Sequence, residues 1–107
     1  MPAISRHIID LAATGHGCDS TAGVFASQYS VFANGVNNPV LRFSDRLMPH
    51  TIIFCTPDGC SCISHDASVK SGSSTVFAEG VPVARVGDSA DRGAMIQGSP
   101  NVFANGF

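Results

Sequence analysis

Histidine and cysteine gather in two stretches of this chain. TGHGCD (14–19) carries His16 and Cys18, and PHTIIFCTPDGCSCISH (49–65) carries His50, Cys55, Cys60, Cys62 and His65. Imidazole nitrogen and thiolate sulfur are preferred donors to zinc, and a closed structural site takes four of them. The spacing Cys62-x-x-His65 lets two donors of one turn reach the same ion, although the paired C-x-x-C…H-x-x-x-H pattern is absent. Residues 46–75 hold little apolar material with which to fix themselves. A structural metal would supply that cohesion, on the order of 10 kcal/mol in small domains. His7 stands apart, beside Arg6, and is expected as a solvated surface histidine.

Catalytic chemistry finds less support. A catalytic zinc keeps an open position and usually a carboxylate base nearby. The sole glutamate, Glu79, belongs to a turn, and Asp58 and Asp66 read as turn residues flanking the cysteines. Neither a nucleophile elbow nor a phosphate loop is present. Cys60-x-Cys62 could form a redox couple, but no helix is at hand to lower a thiol pKa. The expectation is a protein that is not an enzyme.

The chain of 107 residues is sized for one domain, 1–107, with a modest core. Its net charge is −2 and its six basic residues are scattered, which argues against a nucleic-acid groove. Apolar runs such as TIIFC (51–55) are too short to span a bilayer. Arg6, His7 and Asp10 interrupt any signal-peptide core, so synthesis in the cytoplasm without export through the general secretory route is expected. In such a protein the four cysteines read as thiols or metal ligands rather than a disulfide frame.

The elements that must position these residues form a repeat. SQYSVFANGV (27–36), GSSTVFAEGV (72–81) and GSPNVFANGF (98–107) each join a small polar lead-in, a Val-Phe-Ala strand and a turn pair. Asn-Gly suits a two-residue hairpin because both positions take positive φ. After the first turn comes NPVLRFSD (38–45), after the second PVARVGD (82–88): Pro-Val-x-Arg with an Asp three residues on. The third turn lacks such a partner downstream. Its match is PAISRHIID (2–10), at the other end of the chain and one residue looser at each step.

The sequence therefore reads as a circle of three hairpin units cut inside one of them, with residues 101–106 pairing with 2–7 and the termini adjacent. An unpaired strand end leaves donors and acceptors open, and pairing removes that liability. The loops between units differ: a short strand fits near GVFAS (23–27), the longest excursion runs from Asp45 to Val76, and the last loop is tight. IIDLAATG (8–15) could make a single turn, and no helix is expected. Either the phenylalanines 32, 77 and 103 or the valines 31, 76 and 102 point inward.

PVARVGD (82–88), GSPNVFANG (98–106), the opening MPAISR…GHG and the histidine-bearing middle loop together resemble the PAAR-domain proteins, here as Pro82-Val83-Ala84-Arg85. The resemblance spans essentially the whole chain. It implies a mostly β cone of three pseudo-threefold hairpin repeats with a metal site near the apex. Such proteins cap the trimeric β-helical spike (VgrG-like in type VI secretion, or a phage tail spike) of contractile injection machines and help pierce the target envelope. The family's zinc is held by three histidines and a cysteine. Carried over, these are His16, His50, His65 and a middle-loop cysteine, with Cys62 chosen for its closeness to His65 and Cys55 or Cys60 as substitutes. Iron remains a second choice of ion.

The family often has a cysteine shortly after the last Gly-Asp, where this chain reads Asp91-Arg92-Gly93, and the first and second Arg-containing strands read IID and FSD in place of Gly-Asp. A plain tip without fused cargo is expected, assembled on a phage tail or a secretion spike. The alternatives are an adaptor that recruits separate effectors and a small stand-alone zinc enzyme or redox protein.

Overall fold

The computed structural model describes residues 2–105; Met1, Gly106 and Phe107, and so part of the third turn, lie outside the described residues. Those residues contain no helix. Their strands are β1 (Ala12–Ala13), β2 (Thr21–Ala22), β3 (Val24–Phe25), β4 (Arg46–Leu47), β5 (His50–Thr56), β6 (Gly59–His65), β7 (Phe77–Ala78), β8 (Val81–Pro82), β9 (Ser89–Ala90) and β10 (Gly93–Met95). Shortness is a consequence of the turn residues, which interrupt pairing every few positions.

Three hairpins form the lower layer and repeat one another bond for bond. Val40 donates its N–H to the Val31 carbonyl, Val83 to Val76 and Ile4 to Val102, each at 3.0 Å. The last of these is the closure expected between the chain ends, supported by the Ala3–Phe103 bridge and by the Ala104 N–H on the Pro2 carbonyl at 3.0 Å. Positive φ occurs at Asn34 and Gly35 and again at Glu79 and Gly80, as the two-residue hairpin turn requires. The second residue of each lead-in is a buried acceptor, Gln28, Ser73 or Ser99. Its side-chain oxygen takes the N–H groups of the valine that opens the strand and of the residue before it, at 2.8–3.2 Å.

The return arms meet at the pseudo-threefold axis. Ser5 donates to the Ala84 carbonyl (3.0 Å), Ala84 to Leu41 (2.8 Å) and Leu41 back to Ser5 (2.9 Å). That closed ring satisfies three buried backbone pairs at once. Below it lie Ile4, Val40 and Val83 with Ala33, Ala78 and Ala104. Small side chains sit here because three backbones converge and leave little room. The three phenylalanines face outward, 38 %, 53 % and 45 % exposed at Phe32, Phe77 and Phe103, while Val76 and Val102 pack on the core.

Each arm then turns on its arginine. The N–H groups of Arg6, Arg42 and Arg85 donate to Asp10, Asp45 and Asp88 at 2.8, 2.8 and 2.7 Å. The left-handed position in this turn is Gly87 in the PVARVGD arm but Ser44 and Ile8 in the others, which is the structural content of the FSD and IID departures. Arg6 and Arg85 also clasp their aspartates through the guanidinium. Arg42 instead reaches Ala78 and Ser27.

Above the ring, a second layer closes almost into a barrel. The order β2-β1-β10-β9 continues through the Val69–Ala90 and Arg46–Ser68 bridges to β4 and β3, and β3 follows β2 after Gly23. Its core is Ala12, Ala22, Val24, Leu41, Leu47, Val69, Ala84, Ala90 and Met95. The strand read near 23–27 is β3. From this layer the β5–β6 hairpin projects. Residues 53–64 are exposed throughout, and the molecule measures 48 × 26 × 23 Å.

Candidate metal centre

Three top loops, one from each unit, converge where β5 and β6 leave the body. His16 comes from the β1–β2 loop, His50 and His65 from the root of the hairpin, and Asp91 from the β9–β10 turn. One ligand atom from each lies within 4.8 Å of all the others. The Nε2 atoms of His50, His16 and His65 stand 2.7, 3.0 and 3.2 Å from the Asp91 carboxylate.

Local structure explains the convergence. His50 and His65 are directly opposite in the β5–β6 register, so their side chains share one face. The His16 N–H is held by Thr14 Oγ1 at 3.1 Å, and the Arg92 N–H bonds the Thr14 carbonyl at 3.0 Å, drawing the first and third loops together. Gly93 makes that approach possible: a Cβ there would meet the Ala13 carbonyl oxygen at 2.0 Å. Asp91 itself sits at φ 52, a left-handed conformation that aspartate tolerates better than most residues.

The chemistry of the donor set calls for a cation. His50 Nδ1 lies 2.9 Å from the Met48 carbonyl, which can only accept, so Nδ1 carries the hydrogen. In the neutral ring Nε2 then offers a lone pair, aimed at a carboxylate 2.7 Å away. Two lone pairs cannot face one another in a buried site; a proton or a metal ion must lie between them. Protonating all three rings would concentrate three positive charges around one buried carboxylate, whereas a single divalent ion satisfies all four groups. Donors of tetrahedral zinc at about 2.0–2.2 Å stand roughly 3.3 Å apart; the imidazole–carboxylate separations here are 2.7–3.2 Å, and all four donor atoms lie within 4.8 Å of one another. The residues fit a metal.

Protonation equilibria follow from the same contacts. Burial works to raise the Asp91 pKa, but hydrogen bonds from His50, His16 and His65 outweigh it and hold the carboxyl below its ordinary value. Burial likewise works to lower His50, and the Met48 carbonyl and the Asp91 carboxylate overcome it, raising the imidazole. In the metal-free protein the raised His50 contributes stability below the ordinary imidazole pKa and loses it as pH rises through the folded value. The depressed Asp91 contributes stability above the ordinary carboxylate pKa and loses it as pH falls. The metal-free form is thus best served between about pH 4 and 6.5. Metal must displace the His50 proton, so its stabilisation should grow with pH. The gap in melting temperature between zinc-loaded and metal-free protein is expected to widen from about pH 5.5 to about pH 8; a gap that narrows over that range contradicts this account.

Cys62 is not in the cluster. Its sulfur is bonded to Cys18, and Cys55 is bonded to Cys60, so no free thiol exists among the described residues. This corrects both the cysteine ligand and the reading of the cysteines as thiols. The reason lies in strand periodicity. Cys62 and His65 are three residues apart on β6, and successive side chains alternate, so the two point to opposite faces. The same register sets Cys55 opposite Cys60, which excludes both as substitutes. Asp91 takes the fourth place, at the position where the resemblance called for a cysteine after the last Gly-Asp. A second signal was available in the turn sequence TPDG (56–59), which lies midway between His50 and His65 and between Cys55 and Cys60. His7, expected in solvent, is half-buried and accepts the Ala26 N–H on Nδ1 at 2.8 Å.

An all-β chain with a threefold ring at its base and a His/Asp cluster at the meeting of its upper loops defines a small repeat protein with a cluster that could hold a metal ion. Residues 61–107, which include the second Val-Phe-Ala strand, PVARVGD, Asp91 and the C-terminal strand, match the family model for the PAAR motif. That match covers the C-terminal part of the chain, and the same ring and Arg–Asp turn geometry recurs in residues 2–45. No curated protein matches the chain.

Proposed function

We propose that this chain, as one PAAR-like domain over 1–107, is the structural tip of a trimeric β-helical spike in a contractile injection machine. The observation that carries the reading is the base. Three equivalent hairpins around a closed backbone ring present Phe32, Phe77 and Phe103 outward at related positions. A single chain with this pseudo-symmetry can meet a true threefold trimer without itself being a trimer.

The opposite end suits piercing. Seven-residue strands at about 3.4 Å per residue carry the β5–β6 hairpin ~20 Å beyond the His/Asp cluster. An ion at the hairpin root would link all three units, so that load on the hairpin is shared by the whole body. Four protein donors leave a tetrahedral ion without an open position, which favours a structural ion over a catalytic one. Imidazole and carboxylate donors suit zinc first and iron second.

The test is assembly with a trimeric β-helical spike protein, read by sedimentation. One copy per trimer is expected. Replacing Phe32, Phe77 and Phe103 together by serine should weaken the complex at least tenfold while leaving the melting transition in place, as loss of central aromatic anchors does. Three copies per trimer, or full binding by the triple variant, contradicts the proposal. Effector recruitment is the second reading: a cargo protein captured by the chain in the absence of a spike would favour the adaptor.

A further inference from the structure

We propose that the Cys18–Cys62 disulfide is a positioning element of the metal centre, so that metal affinity depends on the oxidation state of this one pair. The inference rests on the metal reading above and adds a redox dependence to it.

The ligands are not equally well held. His50 is fixed by its Met48 hydrogen bond and its burial at 5 % exposure, and His65 by its place opposite His50 in the ladder. Asp91 sits in a tight turn between β9 and β10. His16 is different: it lies in the seven-residue connection between β1 and β2, 14–20, with Gly15 and Gly17 on either side of it. Beyond the Arg92–Thr14 backbone bond at its start, three attachments hold that connection in place. One is local, through Thr14. The second is Asp19, whose N–H donates to the Thr51 carbonyl and whose carboxylate accepts from the Thr51 N–H and hydroxyl at 2.8 Å. The third is covalent, from Cys18 to Cys62.

Cys18 is two residues from His16 and Cys62 is three from His65, so the bridge joins the loop of one ligand to the strand of another. The Asp19 contacts are solvent-exposed hydrogen bonds and hold β5 only. The disulfide holds β6 and closes the loop around the hairpin root. Cys55–Cys60 spans only the outer end of the hairpin, five residues apart in sequence, and touches no ligand-bearing loop. It is the internal control.

The redox step balances as thiol–disulfide exchange. A small-molecule thiolate attacks the Cys18–Cys62 bond, a second thiolate resolves the mixed disulfide, and two protein thiols and one small-molecule disulfide result. Reciprocity then gives a second consequence. If the disulfide raises metal affinity by some factor, bound metal must favour the disulfide over the dithiol by the same factor.

Two measurements on the full chain test this. First, zinc affinity is measured by competition with a chromogenic chelator for the oxidised protein, for C18S/C62S and for C55S/C60S. The first variant should lose about tenfold or more, in the range seen when a ligand's supporting contact is removed, and the second should stay within about twofold of the parent. Second, the unsubstituted chain is equilibrated in glutathione buffers with and without zinc, and the Cys18–Cys62 pair is followed by alkylation and mass spectrometry. Zinc should shift its midpoint toward more reducing buffer by the same factor, and this readout survives even if C18S/C62S fails to fold. Equal zinc affinity in C18S/C62S and the parent, or a midpoint unmoved or shifted the other way, overturns the positioning role alone. A parent chain that binds no zinc overturns the metal reading and this proposal together.

Discussion

A chain lacking residues 1–6 should be unfolded at room temperature, with no cooperative melt and a far-ultraviolet spectrum without strand character. The truncation removes Ile4, 6 % exposed in the lower core, and with it a burial whose loss costs about 2–5 kcal/mol when a cavity is left. It removes Ser5 from the ring, leaving the Leu41 N–H and the Ala84 carbonyl without partners; a buried backbone orphan costs about 1–3 kcal/mol. The partner of Asp10 is lost as well, since Arg6 clasps that carboxylate at 2.8 Å. Summed, these losses approach or exceed the whole stability of an ordinary domain, about 5–15 kcal/mol. A truncated chain that melts cooperatively at the parent's temperature would show that the ring is not what holds the three units together.

Asp91→Ala should abolish measurable zinc binding and remove the metal's share of stability. The carboxylate is 2.7–3.2 Å from three imidazole nitrogens, and its loss leaves three neutral donors and no negative charge to offset a divalent ion. An ion present at a thousand times its dissociation constant adds about 4 kcal/mol. In a domain of this size that raises the melting temperature by roughly 15 °C or more. The parent should show this upshift with zinc and the variant should not. Asp91→Cys, which restores an anionic donor that zinc accepts, should recover both binding and upshift. Zinc stabilisation of Asp91→Ala equal to that of the parent would remove Asp91 from the site.

The fold's outline was legible because its signals are local. Asn34-Gly35 and Glu79-Gly80 announce turns through the φ they demand, and Val-Phe-Ala strands on either side announce pairing. Closure between the chain ends was legible because the repeat left one arm without a partner, and the Ile4–Val102 and Ala3–Phe103 pairs supply it. Which face of the Val-Phe-Ala strands turns inward was not legible. Both alternating residues are apolar, and only the crowding at the axis assigns the inward side to Ala33, Ala78 and Ala104.

The sequence by itself determined the three-unit ring, the absence of helix among the described residues and the three histidines as the residues to watch, because repeat spacing, turn residues and donor chemistry are written along the chain. Only the tertiary structure decided the fourth member of the cluster and the fate of the cysteines. Asp91 lies 26 residues from His65 and 75 from His16, and no local pattern links such distances. Cys62 is near His65 along the chain but not on the same face of the strand. On an extended strand a three-residue step turns a side chain to the other face, and there Cys62 found Cys18 instead of an ion.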